Sequence, residues 1–340
     1  MSDAIRKIRM TDTKERLFTR VIATGSALPE KAVTNEELAR NLAQRGVETN
    51  DEWIRTRTGI CQRYIADKSV TTLDLAHQAA QKAMGDAGID PATVDLIIVA
   101  TTTPDGVFPS MACRLQERLG IVGCAAFDVQ AVCAGFVYAM SVADGLIRTG
   151  GYKRALVVGA EVLSRLLDWN DRTTCVLFGD GAGAVVIEAS HEEGILAHRM
   201  HADGTFGVCT LACDARVEDG QVVGTPFIRM NGQQVFKLAV SSLTASFKEV
   251  CDMAGIAPAG VDVWVPHQAN VRIIEMIAAK LGLSKEKTVV TVNLHGNTSA
   301  ASVPLALDWA VRNGRIQKGN TVMLQGVGAG MTWGSVLLKW

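Results

Sequence analysis

One cysteine lies at the junction of a predicted strand and a predicted helix. Cys133 follows an apolar strand that ends near Gln130, and residues 134–146 after it form an apolar run typical of a buried helix. A thiol at a helix N-terminus is close to unpaired N–H groups and to the positive end of the helix dipole, which favour the thiolate. Most free cysteines are buried structural residues, but this position makes Cys133 a candidate nucleophile.

Two polar residues occupy related points in the second half of the chain. His267 directly follows the apolar strand of residues 261–266, and Asn297 lies in a segment, residues 295–304, that corresponds to the Cys133 turn. Ligand sites in open α/β sheets form at the C-terminal ends of strands. Alone, each residue fits a buried imidazole or an ordinary turn residue. Together, they predict that Cys133, His267 and Asn297 converge in one site.

Two glycine-rich segments do not match nucleotide-binding motifs. Residues 178–184 are spaced G-x-G-x-G but lead into a strand rather than a helix. Residues 326–330 follow a strand and suit close approach of the backbone to a ligand. Cys209 and Cys213 form a single, loosely spaced pair, so we expect no metal site there.

The composition is that of a globular protein with few restrictions on its partners. Of 340 residues, 48% are hydrophobic and 20% charged, and the formal net charge is −1. This balance provides no overall attraction to nucleic acid or to an anionic membrane. The most apolar stretch, residues 125–143, is interrupted by Asp128 and Gln130, which disfavours a membrane span. The N-terminus resembles no secretory signal, and the eight cysteines suggest no disulfide framework, so we expect a cytoplasmic protein.

The chain contains a long internal repeat. The segment at residues 87–95 recurs 167 residues later at residues 254–262, and each copy leads into a short apolar strand. The strand at residues 155–159 recurs with the same shift at residues 322–326. A period this long indicates a duplicated domain rather than a solenoid.

The elements around these motifs predict the fold class. Amphipathic helices are expected at residues 72–87 and 233–254, each ahead of a short buried strand. This alternation favours an α/β architecture in which helices cover the sheets and two similar halves share a central helical layer. We assign residues 1–20 to an N-terminal extension, 21–190 to the half with Cys133, and 191–340 to the half with His267 and Asn297.

The motifs, taken in order, resemble the β-ketoacyl-acyl-carrier-protein synthase III family of the thiolase superfamily. The resemblance runs from about Val21 to Trp340, and Ala329 stands where the family usually has glycine. It implies a duplicated thiolase-like fold in five layers, α-β-α-β-α, and a homodimer. The matching segments are residues 51–54, 57–60, 108–110, 178–184, 267–270, 296–304 and 332–335, together with the Cys133 turn.

The resemblance implies an acyltransferase that initiates fatty acid biosynthesis. It would condense a short acyl-CoA primer with malonyl-acyl-carrier protein (malonyl-ACP) and release 3-oxoacyl-ACP, CO2 and CoA. Cys133 would attack the acyl-CoA thioester while the backbone N–H groups of Cys133 and Ala329 bind the oxyanion. His267 and Asn297 would donate to the thioester enolate formed when CO2 departs. The chemistry requires no metal or redox cofactor.

The resemblance also assigns binding residues. Trp53 and Arg172 would enclose the adenine of CoA, and Phe108 of the partner subunit would close the acyl pocket. The remaining positions of the CoA path are Arg57, Gly232, Phe236, Ala269 and Asn270. The basic positions for docking the carrier protein are Lys237, Arg272 and Lys280.

Other functions are consistent with parts of this pattern. The order Cys133, His267, Asn297 is also that of papain-like peptidases, but the duplication and the position of the nucleophile deep in the chain disfavour that class. A related condensing enzyme with another acceptor, such as one that primes quinolone or polyketide synthesis, remains an alternative. A non-catalytic binding module of this fold is disfavoured by the intact triad.

Overall fold

The computed structural model describes residues 17–207 and 211–340. The strands are β1 (Phe18–Ala27), β2 (Ala32–Thr34), β3 (Gln62–Tyr64), β4 (Leu96–Ala100), β5 (Ala125–Val129), β6 (Arg154–Glu161), β7 (Gly181–Ser190), β8 (Ile195–Ala202), β9 (Leu211–Ala212), β10 (Arg216–Glu218), β11 (Gln221–Val223), β12 (Arg229–Met230), β13 (Val263–Pro266), β14 (Thr321–Gly328) and β15 (Thr332–Lys339). The helices are α1 (Asn35–Ala43), α2 (Asp51–Thr58), α3 (Thr72–Asp86), α4 (Met111–Arg118), α5 (Gly135–Arg148), α6 (Arg172–Cys175), α7 (Gly232–Ala254), α8 (Val271–Leu281), α9 (Val292–His295) and α10 (Ser302–Arg312).

Two sheets with the same topology carry the repeat. The first has the strand order β1-β7-β6-β4-β5 and the second the order β8-β15-β14-β13. β4 pairs in parallel with β6, as β13 does with β14, and β7 and β15 run antiparallel to both of their neighbours. The first sheet has a fifth strand, β5, which is parallel to β4. β4 and β13 start 167 residues apart, as do β6 and β14. The sequence repeat is therefore a structural repeat.

The predicted five-layer arrangement is confirmed by the packing. α5 and α10 lie between the two sheets, where Phe136 and Leu307 belong to one buried cluster with side chains of both sheets. α3 and α4 cover the outer face of the first sheet, and α7 and α8 cover the outer face of the second. Because both faces of each sheet are covered, the strands read as continuous apolar runs.

Several boundaries differ from the sequence prediction. The helix predicted at 134–146 is observed as α5, Gly135–Arg148, and a 3-10 turn, Val132–Ala134, precedes it. β1 begins at Phe18, inside the range 1–20 assigned to the extension, because it pairs with β7 from that residue onwards. Residues 1–16 of the extension lie outside the described residues. Within the described part of the chain, no helix has the length and apolar character needed to cross a membrane.

The two halves are in close contact at a small residue of β6. A Cβ built on Gly159 would lie 2.3 Å from the carbonyl oxygen of Ala300, in the 3-10 turn Ser299–Ala301 that precedes α10. Backbone atoms cannot move aside as a flexible side chain can, so only glycine permits this contact.

We expect Gly159→Ala to destabilise the protein by about 3 kcal/mol through overpacking. The matched control is Gly145→Ala, in the exposed part of α5, where an added Cβ meets nothing within 4 Å. That change should stabilise the helix by about 0.5–1 kcal/mol. Urea unfolding of both variants at one protein concentration checks this, and equal stability of the two would contradict the packing argument.

Candidate active site

The Cys133 turn is formed by close contact with β14. Val132, before the cysteine, has a left-handed backbone with φ of 47°, and Cys133 is only 4% exposed. A Cβ on Gly328 would lie 2.7 Å from both the amide nitrogen of Cys133 and the carbonyl oxygen of Ala131. The glycine-rich end of β14 thus lets the second half of the chain reach the nucleophile turn of the first.

His267 is held at the end of β13 by backbone and side-chain bonds. Its N–H donates to the carbonyl of Gln325 at 2.8 Å, and its ring Nδ1 lies 3.0 Å from the hydroxyl of Ser302. The same hydroxyl accepts the N–H of Gln268 at 2.7 Å. The imidazole is 4% exposed, so its orientation is fixed by these partners.

Asn297 is tied to the glycine-rich segment of the first half. Its N–H donates to Leu177 and its carbonyl accepts from Gly179, both at 2.9 Å. Its side-chain oxygen accepts the N–H of Ser299 at 2.9 Å. The oxygen is occupied, so the side-chain NH2 is the group that remains available to a ligand. The motif at 178–184 therefore helps to hold the backbone of Asn297 in place.

The three predicted residues line one cavity. Cys133, His267 and Asn297 border a space of about 110 Å³. The predicted positions Gly232, Phe236, Ala269, Asn270 and Ala329 border the same space. Cys133 and Ala329 also border a second cavity of about 520 Å³, so the cysteine lies where two cavities meet.

Burial makes the two titratable groups neutral. Burial raises the pKa of the Cys133 thiol to about 12, although the Ser299 hydroxyl opposes this effect. Burial lowers the pKa of His267 to about 3. The structure therefore differs from the expectation that the helix N-terminus favours a thiolate, because desolvation of the charge outweighs that stabilisation.

The predicted residues Trp53, Arg57 and Arg172 are in direct contact with one another but border neither cavity. The guanidinium carbons of Arg57 and Arg172 each lie 4.5 Å from the ring centroid of Trp53. Arg172 also donates to the carbonyl of Glu48 at 2.7 Å. An adenine placed between Trp53 and Arg172 must first displace this guanidinium from the indole.

Comparisons with known proteins decide the family. Family models described as 3-oxoacyl-[acyl-carrier-protein] synthase III and its C-terminal part match residues 127–204 and 251–340. A β-ketoacyl-[acyl-carrier-protein] synthase III of Bordetella petrii is 58% identical over 94% of this chain and 97% of its own length. The chain belongs to the β-ketoacyl-acyl-carrier-protein synthase III family. It is an acyltransferase with the thiolase fold.

Solved structures agree with this assignment to the synthase III family. The 3-oxoacyl-[acyl-carrier-protein] synthase III of Aquifex aeolicus VF5 is 46% identical, with a TM-score of 0.87 over 95% of this chain and 100% of that chain. The priming β-ketosynthase of the R1128 polyketide pathway is 36% identical, with a TM-score of 0.89 over 96% and 97%. The alternative of a polyketide-type relative is therefore less favoured than the synthase III function, and the papain-like class is wrong.

Other residues predicted from the synthase III resemblance lie outside the two cavities. Phe108 is 82% exposed and borders neither cavity of its own chain. Lys237 lies on α7, and Arg272 and Lys280 lie on α8; all three are exposed. Arg272 also donates to the carbonyl of Thr56 at 2.8 Å, so it connects α8 to α2.

The sequence analysis missed a residue next to His267 whose buried side chain makes four hydrogen bonds. The buried amide of Gln268 donates to the carbonyls of Pro266 and Val289 and accepts the N–H groups of Thr291 and Val292. These bonds join the end of β13 to the start of α9. In the sequence, Gln268 stands out because it lies between His267 and Ala269, two residues already assigned to the site. Its hydrogen-bond partners are visible only in the structure.

The sequence analysis also missed the apolar wall of the larger cavity. The wall includes Leu163, Leu166, Phe178, Leu211, Ile228 and Cys213. Cys209, considered above with Cys213 as a metal pair, lies outside the described residues. Among those described, no cluster of three or more metal-ligating side chains is found.

The raised pKa of Cys133 predicts how the thiol reacts with iodoacetamide. A thiol that titrates near 12 is protonated at neutral pH, so the rate of alkylation should rise about tenfold per pH unit and show no plateau up to about pH 10. Peptide mapping by mass spectrometry separates Cys133 from the other cysteines, with Cys133→Ala as the blank. A plateau above about pH 8 would show that the helix N-terminus dominates after all.

Proposed function

We propose that this protein forms 3-oxoacyl-ACP from a short acyl-CoA primer and malonyl-ACP by decarboxylative Claisen condensation. The observation that carries the proposal is that Cys133, His267 and Asn297 line one cavity beside the glycine-rich end of β14. A nucleophile and two neutral donors in a dry site suit two successive thioester reactions. The identity to the Bordetella petrii synthase supports these substrates.

In the first step, Cys133 takes the acyl group from CoA. The thiol is protonated at rest and gives up its proton as the sulfur attacks the thioester. The backbone N–H groups of Cys133 and Ala329 bind the oxyanion, and the close packing of Gly328, which precedes Ala329, against the amide nitrogen of Cys133 supports this assignment. The proton then passes to the departing CoA sulfur, so the step has no net proton change.

In the second step, His267 and Asn297 stabilise the enolate that forms when malonyl-ACP loses CO2. The Ser302 hydroxyl accepts from Gln268, so its own proton is available to donate to Nδ1 of His267. That arrangement places the remaining ring proton on Nε2, where it is a donor. The NH2 of Asn297 supplies the second donor.

The proposed partners follow from the surface of the site. Lys237 directly follows Phe236 of the cavity, and Arg272 lies two residues from Asn270, so basic side chains flank the opening and would attract an acidic carrier protein. The half-buried β5 is the edge strand of its sheet among the described residues, which supports a homodimer formed there. No metal or redox cofactor is proposed, because the loss of CO2 drives carbon–carbon bond formation. A cytoplasmic location stays a prediction.

The assignment of roles predicts a separation of the two half-reactions. His267→Ala and Asn297→Ala should still form acyl-Cys133, but lose about 10²–10³-fold in release of labelled CO2 from malonyl-ACP, because each removes an enolate donor. Cys133→Ala should abolish acyl transfer while retaining some decarboxylation. Intact-protein mass spectrometry and radiolabelled malonyl-ACP measure the two steps. Loss of acyl-Cys133 in His267→Ala with decarboxylation preserved would make His267 mainly the base for the cysteine.

The exposed ring of Phe108 predicts a preference for short primers. If the partner's Phe108 closes the acyl pocket, acetyl-CoA should label Cys133 far faster than decanoyl-CoA, since overfilling a packed pocket costs about 1–3 kcal/mol. Phe108→Ala should raise decanoyl labelling. Val107→Ala is the matched control, because Val107 is the neighbouring, 94% exposed apolar residue. Equal wild-type labelling by both thioesters would contradict the proposal.

A further inference from the structure

The loop between β4 and α4, residues 101–110, ends in an exposed apolar tip. Phe108 in this tip is 82% exposed. Just after it, the N–H groups of Met111 and Ala112 donate to the carboxylate of Asp128 on β5 at 2.7 and 2.8 Å. The tip therefore lies beside the edge strand at which the homodimer is proposed, and the place of its ring depends on how the rest of the loop is held.

The start of this loop is held by a completely buried carboxyl. Glu161 is the last residue of β6 and has no exposed surface. Thr102 donates to this carboxyl its N–H at 3.1 Å and its hydroxyl at 2.9 Å. The hydroxyls of Thr103 and Thr101 donate at 2.5 Å and 3.3 Å. All of these groups are donors, so they suit an ionised carboxylate, whose oxygens only accept.

The same threonine hydroxyls connect Glu161 to the backbone of the loop and to the residue after β6. The hydroxyl of Thr103 accepts the N–H of Val162 at 2.9 Å, and the hydroxyl of Thr101 accepts the N–H of Thr103 at 3.1 Å. Each hydroxyl has a single proton, which it donates to Glu161, so the orientation of both side chains is determined. The carboxylate thus fixes three consecutive residues at the start of the loop.

A second carboxylate holds the middle of the loop. Asp105 accepts the N–H groups of Thr72 and Leu73, the first residues of α3, each at 3.0 Å. The hydroxyl of Thr72 donates to the carbonyl of Thr103 at 2.7 Å. N–H groups at a helix start have no partner within the helix, so the loop and α3 satisfy one another. The tip, residues 106–109, begins directly after this anchor, and its position is therefore determined from the base of the loop.

We propose that Glu161 is a positioning residue for primer selection, because it sets where the loop places Phe108. The carboxylate holds residues 101–103, these residues hold the base of the loop, and the ring at the tip closes the acyl pocket of the partner subunit. Glu161 touches no reacting atom in this role. The inference rests on the proposed homodimer and on the proposed role of Phe108. One methylene of room in an apolar pocket changes selectivity about 10–200-fold, so a small shift of the ring is measurable.

The test compares the primer selectivity of the full chain with and without the carboxylate. Glu161→Gln keeps the size of the side chain but replaces one acceptor by an NH2 group that opposes the threonine donors. The rates at which decanoyl-CoA and acetyl-CoA label Cys133 are measured by mass spectrometry, and the ratio of the first to the second is the readout. We expect this ratio to rise at least about tenfold, as one methylene of room would produce, with acetyl labelling within about threefold of the wild-type rate.

A double variant shows whether Glu161 acts through the ring. In a Phe108→Ala background there is no ring to position, so adding Glu161→Gln should change the ratio less than about twofold. A residue that only stabilises the fold would have the same effect in both backgrounds.

The matched control makes the same acid-to-amide change in another buried carboxyl. Asp308 on α10 accepts the hydroxyls of Thr24 and Ser26 at 2.7 and 2.5 Å and borders neither cavity. Asp308→Asn should lower the free energy of unfolding, because it disturbs a buried hydrogen-bond network, and leave the ratio at the wild-type value.

The outcomes separate this inference from the proposed function. A wild-type ratio in Glu161→Gln, with Phe108→Ala raising it, would overturn the positioning role, and so would an equal rise in both backgrounds or a rise in Asp308→Asn. If Glu161→Gln fails to fold, Thr103→Val decides by the same ratio, because it removes a hydroxyl bound to the carboxylate and keeps the shape of the side chain. An unchanged ratio in Phe108→Ala would refute the closing role of Phe108 and this inference with it. Absence of acyl-Cys133 in the wild type would instead refute the proposed function.

Discussion

The site depends on the contact between two short turns that the repeat places face to face. Val132 and Ser299, 167 residues apart, both have left-handed backbones and each begins a 3-10 turn before a central helix. The turns meet because only small groups lie between them: a Cβ on Gly135 would be 3.5 Å from that of Ala300. Protein interiors tolerate such proximity only where bulk is absent. Cys133 of one half converges with His267 and Asn297 of the other as a result.

The same close packing determines the pKa values of Cys133 and His267. A site that excludes water raises the pKa of the Cys133 thiol and lowers that of the His267 imidazole, so both are neutral when the substrate arrives. Neutral donors are suited to an enolate, since an imidazolium would bind the malonyl carboxylate before reaction and stabilise the ground state. In the proposed mechanism, the burial that weakens Cys133 as a resting nucleophile therefore benefits the second step.

Much of this arrangement could be predicted from the sequence because it is repeated. The shift of 167 residues placed Asn297 opposite the Cys133 turn, and the structure brings both into one cavity with His267. No sequence pattern indicated the contacts between segments that are far apart in the chain. The hydrogen bonds that the buried side chains of Gln268 and Glu161 make are visible only in the structure. The raised pKa of Cys133 results from burial in three dimensions, which a strand-to-helix motif does not show.

The left-handed Val132 shows what the second half contributes to the first. A β-branched residue with positive φ is strained by about 1–2 kcal/mol, so the turn does not hold this conformation by local preference. The carbonyl of Ala131 accepts the hydroxyl of Thr332 at 2.9 Å, and Gly328 packs against the same carbonyl. Two segments of the second half thus fix the residue before the nucleophile. Strain that persists under such external support is typical of functional sites, and here it makes the geometry of Cys133 depend on the docking of both halves.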